Sequence, residues 1–459
     1  MSDAARPRSG TSGAERLASR VETLPILLRR AFEELPAEVA RAGIGRDVVR
    51  GVVATGTGSS GAHARFLASL LSERGVAARA VPLGSFLDGP PPAAPDEAVI
   101  VFSQGLSPNA RVALRRRDDG ARTWLVTATE DPDPTPSKAG SASAPRGHPG
   151  ADGTSPAGEA SATTTSSSQD RREVLRDLRA RGVAVVRTPG ADEFGTLVRV
   201  VGPMVGFAAA LAIADALAPP CAARGGTPSI EPRLVEAACG SVAGASSRWR
   251  EITATLHPTE LAAPIVFVAS GAHLHRIANL PLKLLEGLLR PLPPSFDLLD
   301  FAHGPLQQLY DGPALVVACA RSDAAREREL LARLADVLVP QRHRLLELRS
   351  SLPGAWAVFE HEALLNAFVV DEVRRLGLDP GNWPGRGADA PLYGFDGSAR
   401  GEPPPSRTSA GQVGASAAHA TSERGATIET TTERLLESRT WPDVAATLAR
   451  GSTAAILPL

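Results

Sequence analysis

An α/β fold of parallel sheets with helices on both faces, doubly wound in the flavodoxin manner, is what this sequence predicts, from three observations. Short apolar runs of strand length alternate with helical stretches. Glycine- and serine-rich loops follow several of those runs, where a strand hands over to a helix. The order of elements in the second half is similar to that in the first, which implies a duplicated α/β domain.

In order along the chain, residues 1 to about 14 are small and polar, and disorder is expected over 1–20. Leu24, Ile26, Leu27, Ala31, Phe32 and Leu35 then recur at helical spacing before Pro36. Residues 49–54 read as an apolar strand, 55–61 as a glycine- and serine-rich loop and 62–73 as a helix. Strands are expected at 76–81, 98–102 and 123–127, with a helix from 111 to 117. Residues 129–170 hold Pro, Ser, Thr, Gly and Ala and almost no large apolar side chains. Such a segment does not offset its ordering entropy by burial and is expected to be a disordered insertion. Helix 171–181, strand 183–186 and a long apolar helix from about 194 to 217 complete a first domain, 21–218.

A linker at 219–232 precedes a second domain, 233–395. It reads as helix 233–254, strand 264–269, loop 270–272, a helix carrying Lys283, strand 314–318, helix 322–336, strand 344–348 and helix 357–376. Residues 396–431 are again small and polar and are expected to be a disordered linker, and 432–459 read as a helix running into a strand.

A net charge of −1 over 459 residues supplies no field to draw nucleic acid. Three widely spaced cysteines, Cys221, Cys239 and Cys319, fit neither a disulfide framework nor a zinc site and point to a reducing compartment. The N-terminus lacks a signal-peptide apolar region, and no apolar run approaches the ~18 residues that span a bilayer. The expectation is a cytoplasmic protein with no membrane or nucleic-acid partner, no metal and no cofactor.

Two loops and one helix carry candidate chemistry. Gly56-Thr57-Gly58-Ser59-Ser60 lies between a strand and a helix, where glycines let a ligand approach the backbone and free N–H groups favour an anion. An ordinary βα turn has the same composition, and the loop is neither a Walker A loop nor a dinucleotide fingerprint. Ser103-Gln104-Gly105-Leu106-Ser107-Pro108 repeats the design at a second strand end, the edge where open α/β sheets bind ligands. The chain has only two lysines, Lys138 and Lys283, and the second sits in an apolar helical run three residues before Glu286. At that spacing the two share a helix face: an active-site pair, or a surface salt bridge with the lysine stem on apolar neighbours.

These pieces together resemble the SIS (sugar isomerase) domain, in the tandem form of the isomerase half of glucosamine-6-phosphate synthase. The resemblance rests on Gly56 to Ser60, Ser103 to Ser107, Glu193 in Ala-Asp-Glu-Phe-Gly195, Lys283 to Glu286, His303-Gly304-Pro305-Leu306 and a C-terminal helix followed by Asp379-Pro-Gly-Asn382, and covers residues 20 to 395 apart from the insertion. It implies two tandem SIS domains binding a phosphorylated sugar or amino sugar. By position, Gly58, Ser59, Ser60, Ser103, Gln104 and Ser107 hold the phosphate. Glu286 moves the proton between C1 and C2, His303 helps to open the ring and Lys283 lies beside the substrate. The histidine is typically given by a neighbouring subunit, so a homodimer is implied. Glu193 and Arg386 are further candidates for the substrate site.

The sequence also departs from the family. The second loop is one residue short of the Ser-Gln-Ser-Gly-x-Thr form. The C-terminal lysine of the synthases has no counterpart, since residues 382–386 offer only Arg386, and a glutaminase half ahead of the first domain is not expected. The expected activity is therefore aldose-ketose isomerisation or amino-sugar-phosphate deamination without glutamine. The alternative is a non-catalytic sugar-phosphate sensor. Residues 440–459 resemble the opening helix and strand of creatininase-family metal amidohydrolases, which raises the further expectation of a fusion whose hydrolase part is cut short at 432–459.

Overall fold

The computed structural model describes residues 12–46, 50–87, 93–94, 96–115, 122–130, 159–190, 193, 195–218 and 227–397, with the backbone alone for 159–169. The centre of the expected insertion, the linker beyond residue 397 and the creatininase-like 432–459 lie outside these.

Two parallel sheets form as the strand runs predict. The first holds β1 (Gly51–Thr55), β2 (Ala77–Ala80), β3 (Glu97–Phe102), β4 (Thr123–Thr127) and β5 (Ala184–Arg187) in the order β2-β1-β3-β4-β5. The second holds β6 (Ile265–Ala269), β7 (Ser295–Asp297), β8 (Ala314–Arg321) and β9 (His343–Ser350) in the order β7-β6-β8-β9. Strands β1, β4 and β6 are buried along their whole length, as sheets covered on both faces require. The strand order reverses between β1 and β3 and between β6 and β8, so each sheet opens a crevice at its carboxyl edge.

The helices are α1 (Gly13–Arg41), α2 (Ser59–Glu73), α3 (Pro108–Arg115), α4 (Glu159–Ala180), α5 (Val201–Leu217), α6 (Pro232–Thr253), α7 (Pro258–Ala262), α8 (Ala272–Arg276), α9 (Leu280–Leu288), α10 (Leu298–Phe301), α11 (Pro305–Gln308), α12 (Ala325–Val337), α13 (Ala357–Leu376) and α14 (Ala390–Tyr393). Helix α5 is apolar nearly all round and accordingly buried nearly all round, as is α13 despite its charges. Helix α1 packs on α5, α6 and α13, and its Phe32 stacks on Trp356 at 5.1 Å between ring centroids. One apolar cluster therefore runs through both halves, from Leu17 to Val373. Truncating a ring at that junction, as in Phe32→Ala, removes about 3–5 kcal/mol. Among the described residues no helix is long and apolar enough to cross a membrane.

Several boundaries differ from the sequence reading. Helix α1 starts at Gly13, inside the stretch 1–20 expected to be disordered, because Ser12 and Glu15 form a reciprocal capping box. Helix α4 starts at Glu159, inside the expected insertion 129–170. The helix expected from 194 begins only at Val201. The helix carrying Lys283 is two, α8 and α9, the second opening with Pro281 in its first turn.

Candidate functional site

The loop after β1 is shaped by its glycines. A Cβ on Gly56 would lie 2.6 Å from the Ser60 carbonyl group, so only glycine lets Ser60 fold over it. Gly58 sits at φ 55°, ψ −130°, a conformation that L side chains rarely adopt, and α2 starts at the next residue. The N–H groups of Gly58 and Ser59 find no acceptor among the described residues and stand at the positive end of a 15-residue helix. At the end of β3, Ser103 Oγ accepts the Ser107 N–H at 3.0 Å, which closes the second loop. The Gln104 carbonyl accepts from the Ala128 N–H (2.9 Å) and from Thr127 Oγ1 (3.0 Å), locking this loop to the end of β4.

These loops line a cavity of about 540 Å³. Thr57, Gly58, Ser59, Ser60, Ser103, Gln104 and Ser107 form one side, and Glu193, Arg199 and Glu286 come from later in the chain. Thr129 and Glu130 after β4, Arg171 and Arg172 of α4, and Tyr393 of α14 extend the lining. Tyr393 arrives because the chain beyond α13 returns to the first sheet. Asn109 Nδ2 donates to the carbonyls of Leu392 (3.0 Å) and Phe395 (2.9 Å), and Arg115 pairs with Asp396 at 2.9 Å.

Glu193 is buried and engaged with the backbone. Its Oε1 accepts the N–H groups of Val200 (2.8 Å) and Val201 (2.9 Å), and its Oε2 accepts that of Gly202 (2.6 Å). It thereby satisfies the donors at the N-terminus of α5, and Gln104 Nε2 donates to the same carboxylate at 3.3 Å. Gly202 makes that possible, since a Cβ there would sit 1.8 Å from Gln104 Oε1.

Glu286 is half-buried on α9 and faces the cavity. Burial pushes its carboxyl up to about 7, against the opposing pull of the Lys283 and Arg199 charges, with Glu193 adding to the rise. Near neutral pH such a group exists in both forms and can accept or return a proton.

The remaining sequence candidates lie elsewhere. Lys283 is buried and does not line the cavity: its Nζ pairs with Glu362 Oε2 at 2.9 Å and donates to the Arg199 carbonyl at 3.2 Å. Glu362 is fully buried and also receives both 3.0 Å contacts of Asn279 Nδ2. The ammonium thus acts on Glu286 by charge from behind the cavity wall. His303 is exposed beyond α10, its backbone N–H bonded to the Asp300 carbonyl at 2.9 Å. Arg386 is exposed as well, stacking over Trp383 with 4.9 Å to the ring centroid and donating to the Gly381 carbonyl. The structure therefore gathers Gly58, Ser59, Ser60, Ser103, Gln104, Ser107, Glu193 and Glu286 around one cavity, and leaves Lys283, His303 and Arg386 outside it. Sequence reasoning missed Arg199 and Tyr393. A charged residue just ahead of a wholly apolar helix, and one of only two tyrosines in the chain, were the available signals.

Comparison with solved structures places the fold. The chain is similar to glucosamine-6-phosphate deaminase from Thermotoga maritima, with TM-score 0.56 and 14% identity over 80% of this chain and 97% of that one. It is similar to tagatose-6-phosphate ketose/aldose isomerase from Escherichia coli, with TM-score 0.53 and 16% identity over 82% and 98%. The C-terminal domain of glucosamine-fructose-6-phosphate aminotransferase from Francisella tularensis matches with TM-score 0.52 and 10% identity over 78% and 96%. These likenesses establish the class of fold, two parallel sheets flanked by helices. No protein-family model matches the chain, and no curated protein matches it either.

Proposed function

We propose that this chain binds a phosphorylated sugar or amino sugar in the cavity at the carboxyl edge of the first sheet and moves a proton between neighbouring carbons of it. The reaction would be aldose-ketose isomerisation or amino-sugar-phosphate deamination through an enediol or enolamine, carried out in the cytoplasm. The observation that carries this reading is Glu286, a cavity carboxyl raised to about 7, in one cavity with the Gly58 and Ser59 N–H groups and the hydroxyls of Ser60 and Ser107. The N–H groups and hydroxyls suit a phosphate. A desolvated carboxylate suits a carbon-bound proton, which exposed carboxylates are too weakly basic to take. Similarity to enzymes whose names specify glucosamine-6-phosphate and tagatose-6-phosphate supports the same substrate class. His303, exposed and outside its own chain's cavity, would serve a second copy's cavity in a homodimer.

A non-catalytic sugar-phosphate sensor is the second reading. It is favoured by the position of Lys283, whose ammonium is committed to Glu362 rather than turned to the cavity. A panel of hexose and hexosamine 6-phosphates separates the two, scored by thermal shift for binding and by isomer formation and ammonia release for turnover. Binding with turnover supports the enzyme; binding without turnover of any member supports the sensor.

A further inference from the structure

The geometry points to Arg199 as the cation that meets the substrate oxygen bound beside Glu286, the place that the sequence pattern gave to Lys283. This inference rests on the sugar-phosphate reading of the cavity and names a residue within it.

Arg199 lines the cavity, and its backbone is clamped on both sides. Its carbonyl accepts from the buried Lys283 Nζ at 3.2 Å, and the next three N–H groups, of Val200, Val201 and Gly202, all donate to Glu193. Two fixed charges thus hold the backbone of a residue that lines the cavity. Glu286 lines the same cavity, and the Arg199 charge pulls against the rise of its carboxyl. The other cavity-lining cations, Arg171 and Arg172, belong to α4, where Arg172 is an exposed partner of Glu130 at 3.0 Å.

The chemistry assigns such a cation a task. When the Glu286 carboxylate takes a proton from the carbon next to the sugar carbonyl, the C–H pair becomes the new C=C bond. The carbonyl π pair moves to oxygen as an alkoxide, the hydroxyl on the neighbouring carbon passes its proton to that oxygen as its own C=O bond forms, and Glu286 returns the first proton to the carbon that had carried the carbonyl. The negative charge therefore appears on oxygen beside Glu286, and a preorganised cation in a partly dry cavity stabilises it there. A guanidinium adds a planar fork that spans two oxygens on adjacent carbons, which an ammonium does not.

The test compares two phosphorylated five-carbon ligands by isothermal titration calorimetry. 5-Phosphoarabinonate places a carboxylate where the enediolate oxygens would lie; arabinitol 5-phosphate places a neutral alcohol there. Wild type is expected to bind the carboxylate ligand about tenfold or more tighter, the effect of one charge-assisted contact. Arg199→Met should remove that preference while leaving arabinitol 5-phosphate within about twofold of wild type, and Arg199→Lys should keep part of it. If Arg199→Met keeps the wild-type preference, or if wild type shows none, Arg199 is not this cation and the sugar-phosphate site stands. Loss of both ligands from a variant with unchanged Tm would make Arg199 part of the phosphate seat and also overturn the inference. If wild type binds neither ligand, the sugar-phosphate reading falls and takes Arg199 with it.

Discussion

After the first strand of each sheet the chain makes the same turn, with Gly58 at φ 55°, ψ −130° following β1 and Gly271 at φ 53°, ψ −129° following β6. At the first edge the Gly58 and Ser59 N–H groups face a cavity and find no acceptor among the described residues. At the second edge the Gly271 N–H donates to Asp297 Oδ2 at 2.6 Å, and Asp297 Oδ1 takes the Leu299 N–H at 2.9 Å. Further carboxylates occupy neighbouring strand ends: Glu360 accepts from Ser350 Oγ (2.6 Å) and the Ser351 N–H (2.9 Å), and Asp323 accepts from the Gly354 N–H (3.1 Å). One backbone design thus serves two ends. At the second edge the protein supplies its own anion to the turn; at the first it supplies none among the described residues, which is the difference the proposed phosphate seat rests on.

The largest expected effect falls on the open edge. Glu286→Gln should lower turnover by roughly 10²–10⁴-fold while sugar-phosphate affinity stays near wild type, measured by steady-state kinetics beside calorimetry. Next comes the ion pair behind the wall. Lys283→Met leaves the Glu362 carboxylate buried without its cation, and about 3–5 kcal/mol of stability should be lost in urea denaturation.

The pH dependence follows with its sign. Glu286 titrates at about 7 in the folded chain against an ordinary 4.5, so its contribution to stability is fully present below about 4.5 and is lost as pH rises through 7. The stability of Glu286→Gln relative to wild type should therefore climb across that window, by up to about 3 kcal/mol. Turnover, which needs the carboxylate, should rise over the same range. The smallest effects cut between the two edges. Asp297→Ala should cost about 1–2 kcal/mol of stability, through two N–H groups left without their acceptor, and leave ligand affinity unchanged. Ser60→Ala should do the reverse, with stability within about 0.5 kcal/mol and sugar-phosphate affinity about tenfold weaker. A loss of affinity in Asp297→Ala would erase the distinction between the edges.

Much of this site was legible because its signals are local. Glycines and serines at strand ends, and an acid on a short apolar helix, announce themselves within a few residues. Lys283 lies off the cavity because its partner is far away in the chain. Spacing of three from Glu286 placed both on one face, but Glu362 on the buried α13 offers the ammonium a desolvated carboxylate, and the lysine turns inward to it. Arg199 was hidden because residues 194–217 read as one continuous helix, whereas Glu193 caps α5 at Val200 to Gly202 and leaves Arg199 just outside. Strand β7 escaped notice for another reason: three residues following Pro291, Pro293 and Pro294 carry no alternation to read.

The central claim, that Glu286 moves a carbon-bound proton in the first cavity, is tested most directly by hydrogen exchange. Wild type and Glu286→Gln would be incubated with glucose, fructose and glucosamine 6-phosphates in D2O, and deuterium at C1 and C2 followed by NMR. Wild type should incorporate deuterium into at least one of them, and Glu286→Gln, still binding it, should not. Exchange by the variant at the wild-type rate would contradict the claim.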